Sequence, residues 1–147
     1  MYLPELRQEI SQGDLFDSVS LLAVAEASGS HHLTVHLRQG RAILLTHDCE
    51  FDKPTNPWVL VAEVRPLSEL PSGNQGHIRQ YRTRNTFYLE PISEIMPESY
   101  VDFRRLTQLP KSVLLSKSEI GSRLASLNDE ARLALQRQVA IFFGYGR

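Results

Sequence analysis

Short apolar runs of strand length, separated by turn residues, follow one another over about the first hundred positions of this chain. Runs of this length, bounded by Gly, Pro, Ser or Asn, are typical of β-strands rather than helices. Residues 33–37 alternate between apolar and polar side chains, as a half-buried strand does. The strands predicted from these patterns are residues 15–25, 33–37, 42–45, 58–64, 77–81, 86–89 and 100–106.

Turn residues separate the predicted strands. Ser28-Gly29-Ser30 is a turn signal after the first run, and Gln39-Gly40 interrupts the next apolar region. Residues 33–46 are therefore predicted to be a hairpin or a strand broken by a turn. Residues 66–74, which contain two prolines and a Ser-Gly-Asn sequence, are expected to form a loop.

The C-terminal part of the chain has the pattern of a helix instead. Asn128 offers a capping side chain, and the two acidic residues after it suit the first turn of a helix. The apolar residues that follow are spaced by four, four and three positions, which gives a single stripe. These residues are Ala131, Leu135, Val139 and Phe142. The predicted helix spans residues 129–143, and a shorter helix is predicted over residues 117–125.

Together these elements predict a mainly β fold, a small antiparallel barrel or curled sheet with the C-terminal helix packed on it. A chain of 147 residues is long enough to bury its own hydrophobic core, so residues 1–147 are expected to form a single domain. The β-barrel would occupy about residues 10–110, and the helical segment would occupy about residues 117–143.

The composition argues against several classes of function. A net charge of −1 argues against wholesale electrostatic binding to nucleic acid or an anionic membrane and leaves only local patches. No apolar run approaches the ~20 residues that a membrane-spanning helix needs, and the first residues lack the features of a signal peptide. A single cysteine cannot form a disulfide within the chain. A cytoplasmic protein without membrane contact is expected.

The predicted strand at residues 42–45 ends in a cluster of ionisable side chains, which is the best candidate site in the sequence. The cluster comprises Thr46, His47, Asp48, Cys49 and Glu50. If the strand continued through Thr46, alternation would place His47 and Cys49 on one side and the two acids on the other. Polar groups mounted at the end of a strand are suited to binding or catalysis.

Three interpretations of this cluster are open. His47 could activate the Cys49 thiol as a nucleophile, with a carboxylate such as Glu50 orienting the imidazole. The same groups could instead bind a metal, with His36 or His77 completing the set, although known zinc sites usually bring two closely spaced ligand pairs. In the third interpretation, Cys49 is a small buried residue and the acids are solvated. No metal or other cofactor is predicted.

A second constellation is basic and includes an aromatic residue. Residues 77–85 contain Arg79, Arg82 and Arg84 around Tyr81. Guanidinium groups bind phosphates, and a tyrosine ring can stack on an unpaired base. The alternative is an exposed edge strand whose charges prevent edge-to-edge aggregation. Further arginines expected on nearby strands are Arg65, Arg104 and Arg105.

The N-terminal half resembles the MazF/PemK-type toxins, which are small SH3-like β-barrels that cleave single-stranded RNA. The resemblance covers about the first seventy residues and rests on short motifs. These motifs are Gly13-Asp14-Leu15-Phe16, the turn Gln39-Gly40-Arg41-Ala42, the strand Ile43-Leu44-Leu45-Thr46 and the apolar run at residues 58–64. The resemblance implies a PemK-like barrel in which Arg41 stabilises charge on the scissile phosphate.

The chain also departs from this family. Ala42 stands where the family usually has proline. The family's second catalytic residue, a Thr or Ser, would fall near Arg65-Pro66, where Ser68 is the nearest hydroxyl. The cluster at residues 46–50 lies where those toxins have an unreactive loop. A related barrel therefore does not by itself imply the ribonuclease activity.

The leading hypothesis is a PemK-like barrel that binds RNA or another phosphate-bearing ligand, as a metal-independent endoribonuclease or an inactive relative. In this hypothesis His47 is the general base. The alternatives are a cysteine-dependent enzyme using Cys49 and a non-catalytic module that binds a protein partner or a second copy of itself. The predicted catalytic residues are Arg41, His47, Cys49 and Glu50, and the predicted ligand-binding residues are Thr46, Asp48, Arg79, Tyr81, Arg82 and Arg84.

Overall fold

The computed structural model describes residues 1–27, 29 and 31–144 and confirms a mainly β fold with a C-terminal helix. Its strands and helices, in chain order, are β1 Leu15–Ala27, β2 Leu33–Leu44, α1 Asp48–Phe51, β3 Trp58–Pro66, α2 Ser72–Arg79, β4 Thr86–Leu89, β5 Ser99–Pro110, α3 Lys111–Glu119, β6 Arg123–Ala125 and α4 Asp129–Phe142. Two residues of the predicted turn, Ser28 and Ser30, lie outside the described residues. In the described ranges no helix is both long and apolar enough to cross a membrane.

The six strands form one antiparallel sheet in the order β4-β5-β3-β2-β1-β6. The sheet curls so far that the Leu22 amide of β1 donates a hydrogen bond to the Thr107 hydroxyl of β5, at 3.1 Å. Among the described residues no backbone ladder joins β1 to β5, so the sheet stays open, with β4 and β6 at its edges. The antiparallel sheet of the predicted fold is present, and its strands do not close into a complete ring.

Both faces of the central strands are buried against apolar cores. This explains why residues 42–45 and 58–64 are almost continuously apolar, since a strand covered on both faces has no solvent side. The first core is covered by α4 and includes Ile43, Ala62, Val101, Phe103 and Leu135. The second core is covered by α1 and α3 and includes Phe16, Leu44, Phe51, Val61 and Leu114.

A large bulge in β5 changes which side chains face each core. The register shifts where Ala62 and Glu63 of β3 meet β5, because residues 103–105 are extra on β5. Extra residues of this kind break the alternation of side chains along a strand. Val101, before the bulge, packs in the first core, and Leu109, after it, packs in the second.

The N-terminal segment, residues 1–9, is held against β6 by a buried arginine. The Arg123 guanidinium donates to the carbonyl oxygens of Arg7 at 2.7 Å and Glu9 at 2.8 Å, and it pairs with the Asp14 carboxylate at 2.6 Å. Burial raises the pKa of Asp14, against the opposing effect of its hydrogen bonds and of Arg123. Asp14, which belongs to the family-like Gly-Asp motif, therefore has a structural role in this chain.

The predicted C-terminal helix is confirmed, and α4 spans Asp129–Phe142. The Asn128 side chain accepts the Ala131 amide at 2.8 Å, which satisfies a free donor at the helix start. Ala131 and Leu135 are buried, and Val139 and Phe142 pack at the margin of the first core. Phe143 is exposed, and Tyr145 lies outside the described residues.

Several predicted elements are wrong. Residues 77–81 are not a strand but the end of α2, which spans Ser72–Arg79, so the expected loop at residues 66–74 is also partly helical. The short C-terminal helix lies at Lys111–Glu119, while β6 occupies part of the predicted range. Both helices follow a proline, at positions 71 and 110. Proline fixes a backbone angle compatible with entry into a helix.

The region predicted as a hairpin or broken strand is the single strand β2. Gly40 does not form a turn there but lies inside the strand, opposite Val19 of β1. A Cβ atom at Gly40 would stand 3.1 Å from Leu21 Cδ1, so the glycine allows the close approach of that side chain. Residues 33–39 of β2, which precede Gly40, pair with β1 and extend past β3 as a two-stranded arm, with Leu33, Val35 and Leu37 exposed.

Candidate functional site

The predicted cluster at residues 46–50 leaves the sheet instead of extending the strand. The Thr46 hydroxyl accepts the Leu60 amide of β3 at 2.8 Å, and the chain then turns into the short helix α1. His47 is the N-terminal cap of that helix. The expected alternation of side chains through Asp48 and Cys49 is therefore wrong, since helical geometry replaces strand geometry there.

His47 and Cys49 lie in contact. The imidazole Nδ1 of His47 is 3.2 Å from Cys49 Sγ, and it also accepts the Cys49 amide at 3.2 Å. Because Nδ1 accepts this amide hydrogen, it carries no N–H toward the sulfur, and its single lone pair is shared between the amide and the thiol. Cys49 is exposed, so the interpretation of this residue as buried packing is wrong.

The two acids of this cluster are held by other contacts. Asp48 accepts the Gln12 amide at 2.7 Å and the Arg132 guanidinium at 2.9 Å, which ties α1 to the turn before β1 and to α4. Glu50 pairs with Lys53 at 2.5 Å, and this contact lowers the pKa of Glu50. Within residues 1–27, 29 and 31–144, no group of three His, Cys, Asp or Glu side chains could hold a metal ion.

The basic stretch at residues 77–85 is largely engaged in contacts within the protein. Arg79 pairs with Glu98 at 2.7 Å, and Arg84 donates to the Ile141 carbonyl at 3.1 Å. The Tyr81 ring packs against two other aromatic rings, which are those of Phe87 and Tyr88. Arg82 is exposed and makes no side-chain hydrogen bond or ion pair with the described residues. The interpretation as an exposed edge strand is wrong, because residues 72–79 are helical.

A different set of charged residues lies on the face of the sheet that carries the second core. Glu63 of β3 and Asp102 of β5 stand directly opposite each other, and both are buried. Glu63 forms ion pairs with three arginines, and Asp102 forms ion pairs with two. The arginines around this acidic pair are Arg38, Arg65, Arg104 and Arg105. These six residues are called the arginine–carboxylate cluster.

The cluster holds its arginines in fixed positions. A buried carboxylate is stable only with charged or hydrogen-bonded partners. The Glu63 carboxylate lies 3.0 Å from the Arg65 guanidinium and 3.7 Å from that of Arg105. It also forms an ion pair with Arg38. Arg65 also pairs with Glu69 at 2.6 Å, and this hydrogen bond raises the pKa of Arg65.

The arginine–carboxylate cluster opens onto a cavity of about 270 Å³. The charged residues that line the cavity are Asp17, Arg38, Arg41, Glu63, Arg65 and Glu69. The Arg41 guanidinium donates to the Ile95 carbonyl at 3.2 Å. The Nε atoms of Arg38 and Arg41 are buried and have no hydrogen-bond partner among the described residues. The cavity therefore brings three guanidinium groups together on one wall, two of them held by the Glu63 carboxylate.

The four residues predicted to be catalytic do not lie in one site. Arg41 lines this cavity, whereas His47, Cys49 and Glu50 do not. Sequence reasoning missed the acidic pair, although a single acid at position 63 within the apolar run at residues 58–64 was a usable signal. No known family model matches this chain, and no curated protein matches it significantly.

Proposed function

We propose that this protein binds the phosphate backbone of single-stranded RNA at the cavity of the arginine–carboxylate cluster and cleaves RNA there without a metal. The observation that carries the proposal is the convergence of Arg38, Arg41 and Arg65 on one open cavity. Guanidinium groups match phosphate geometry and form charge-assisted hydrogen bonds to it. The anchoring of Arg38 and Arg65 by the buried Glu63 carboxylate reduces the cost of ordering these two side chains on binding.

The family resemblance supports this proposal at the same place. Arg41 pairs across the sheet with Val64, so it lies beside Arg65 and Pro66. The resemblance to MazF/PemK-type toxins assigns Arg41 to the ribonuclease site and places the second catalytic position near Arg65-Pro66. The approach of β1 to β5 is also compatible with a PemK-like barrel that is incompletely closed.

The cavity also limits the charge of the ligand. The cavity is lined by three arginines and three acids, whose charges cancel. The other members of the arginine–carboxylate cluster are Asp102, Arg104 and Arg105, and they add a net charge of +1. A balance of this kind suits a phosphodiester, which carries one negative charge, better than a phosphate monoester with two. Binding through one or a few phosphates is consistent with a chain whose net charge is −1.

The test is a comparison of Arg41→Ala with Arg82→Ala. Arg82 is an exposed arginine on the basic stretch, so this control removes the same charge away from the cavity. Binding of a labelled single-stranded RNA of mixed sequence is measured by fluorescence anisotropy at low and moderate salt. Arg41→Ala is expected to weaken binding by about 10- to 100-fold, because a hydrogen bond to a charged group contributes roughly 1.5–3 kcal/mol.

Salt provides a second readout of the same experiment. The loss of one phosphate contact should reduce the slope of log affinity against log salt by about 0.7 for a single strand. Unchanged binding in Arg41→Ala would contradict the proposed site. A loss confined to Arg82→Ala would instead assign the RNA contact to residues 77–85.

A second candidate function, a cysteine-dependent enzyme, is favoured by one contact. Cys49 is exposed, and a lone pair of the His47 imidazole lies 3.2 Å from its sulfur. Alkylation of Cys49 by iodoacetamide is expected to be fast in the folded protein and slower by severalfold in His47→Ala, since the thiolate is the reactive species. Equal rates in the two proteins would leave Cys49 without an activating base.

A further inference from the structure

A bulge in β1 brings an aspartate to the proposed RNA site. Between the pairs Phe16–Ala42 and Val19–Gly40, β1 contains one residue more than β2. Ser18, within this bulge, has a φ of 55°, a left-handed conformation that is uncommon for residues other than glycine. Bulges of this kind redirect a side chain, and backbone strain of this kind is frequent at functional sites.

The redirected side chain is that of Asp17, which lines the cavity together with Arg41 and Arg65. Its Oδ1 atom accepts the Ser18 amide at 2.8 Å, and its own amide donates to the Ser122 carbonyl at 2.8 Å. These two hydrogen bonds fix the position of the aspartate on the wall of the cavity.

Asp17 differs from the other acids of the cavity in its partners. Glu63 and Glu69 both form ion pairs with arginines of the cavity. Across the described ranges, Asp17 forms no ion pair, and its Oδ2 atom accepts no hydrogen bond. Among the described residues Asp17 is thus the acid of this cavity whose carboxylate is not held by an arginine, and this leaves it free to take a proton from a ligand.

We propose that Asp17 is the general base of RNA cleavage at this cavity, an inference that rests on the proposed function. The carboxylate removes the proton of a ribose 2′-hydroxyl, and the 2′-oxygen attacks the adjacent phosphorus. The P–O5′ bond breaks, and the departing 5′-oxygen takes a proton from solvent water. The resulting hydroxide recovers the proton held by Asp17. The products are a 2′,3′-cyclic phosphate and a 5′-hydroxyl end.

The arginines and the aspartate have separate tasks in this reaction. Arg41 and Arg38 offer N–H donors to the phosphate oxygens, whose negative charge increases in the transition state. Asp17 acts only on the 2′-hydroxyl. Removing its carboxylate should therefore lower the cleavage rate without weakening RNA binding.

The experiment compares wild-type protein with Asp17→Asn on the labelled RNA of mixed sequence, with binding and single-turnover cleavage measured separately. Asparagine preserves the acceptor for the Ser18 amide, so the bulge is expected to persist. Cleavage should fall by about 10²–10⁴-fold, which is the usual contribution of a general base. The dissociation constant should change by less than about threefold. Glu119→Gln, an exposed acid on α3, is the control for loss of one negative charge.

Two further measurements keep the test decisive. Asp17→Glu restores a carboxylate and should recover part of the lost rate. An RNA with 2′-deoxyribose throughout should bind and remain intact. If Asp17→Asn unfolds, which thermal denaturation reveals, Asp17→Ser replaces it, because a serine hydroxyl can also accept the Ser18 amide.

The outcomes distinguish the two proposals. Cleavage by Asp17→Asn at the wild-type rate overturns the assignment of the base and leaves the RNA site intact. A wild-type protein that binds RNA without cleaving it overturns the cleavage half of the proposed function together with the role of Asp17, while the binding site stands. If the wild-type protein binds no RNA at low salt, the proposed function fails, and the role of Asp17 fails with it.

Discussion

Glu98 shows how strongly a few hydrogen bonds shift the pKa of a charged side chain in this protein. Hydrogen bonds from Arg79 and from the Tyr88 hydroxyl lower the pKa of Glu98 from 4.5 to about 2. The ionised form of Glu98 thus stabilises the folded protein. The ion pair also explains why Arg79 is less available to a phosphate than the sequence alone indicates.

The lowered pKa of Glu98 predicts how the stability of the folded protein depends on pH. Because the folded value lies below the unfolded one, the stabilisation is complete above about pH 4.5 and is lost as the pH falls toward 2. In Glu98→Gln, the decrease of the melting temperature over this interval should be smaller than in the wild type. Glu94→Gln, an exposed acid in a neighbouring loop, is the control. Parallel curves for Glu98→Gln and the wild type would contradict this assignment.

Among the elements, α4 contributes to stability through one face. Leu135 is fully buried in the first core, whereas Leu133, on the same helix, is 46% exposed. Leu135→Ala is expected to lower the free energy of unfolding by about 2–5 kcal/mol, because it leaves a cavity in a packed core. Leu133→Ala, which makes the same chemical change on the solvent side, should cost about 0.5 kcal/mol or less. Urea denaturation measures both, and equal losses would show that α4 is not docked on the sheet as described.

At the scale of the whole molecule, the Arg123–Asp14 pair connects parts of the chain that are distant in sequence. Arg123→Ala leaves the Asp14 carboxylate buried without its cation, and a loss of this kind costs about 3–5 kcal/mol. The double variant Asp14→Ala plus Arg123→Ala should be less destabilised than the sum of the two single variants, since no unpaired charge remains. Chemical denaturation of the four proteins tests this. Strictly additive losses would show that the two side chains do not stabilise each other.

The spacing of apolar residues along the sequence predicted the helices and strands in which buried side chains recur at a regular interval. The helix at Asp129–Phe142 and the strands around residues 15–25, 58–64 and 86–89 are of this kind. The strand-like pattern at residues 77–81 is too short to distinguish a strand from the end of a helix. Ile78 is the buried residue of this segment, whose helical form depends on packing against Leu67 and Tyr100. Tertiary contacts therefore decide its structure, and single-sequence propensity does not contain them.

The candidate site was predictable only in part for a related reason. Arg41 could be recognised from a short motif. The meeting of Glu63 with Asp102 depends on the register of β5 and on the bulge at residues 103–105. Asp17 reaches the cavity because of another bulge. Bulges alter which residues face each other without a clear signal in hydrophobic alternation, so neither contact follows from the sequence pattern.

The attachment of residues 1–9 to the segment around β6 has a consequence for the order in which the protein forms during synthesis. Arg123 follows Asp14 by 109 positions, so the N-terminal segment leaves the ribosome long before its partner exists. Residues 17–105, which supply the cavity, are translated before Arg123 as well. The arginine side of the cavity can thus assemble while the N-terminal segment is still unattached. The Asp17 amide gains its Ser122 partner, and the buried Asp14 carboxylate its cation, only after residues 122 and 123 have emerged.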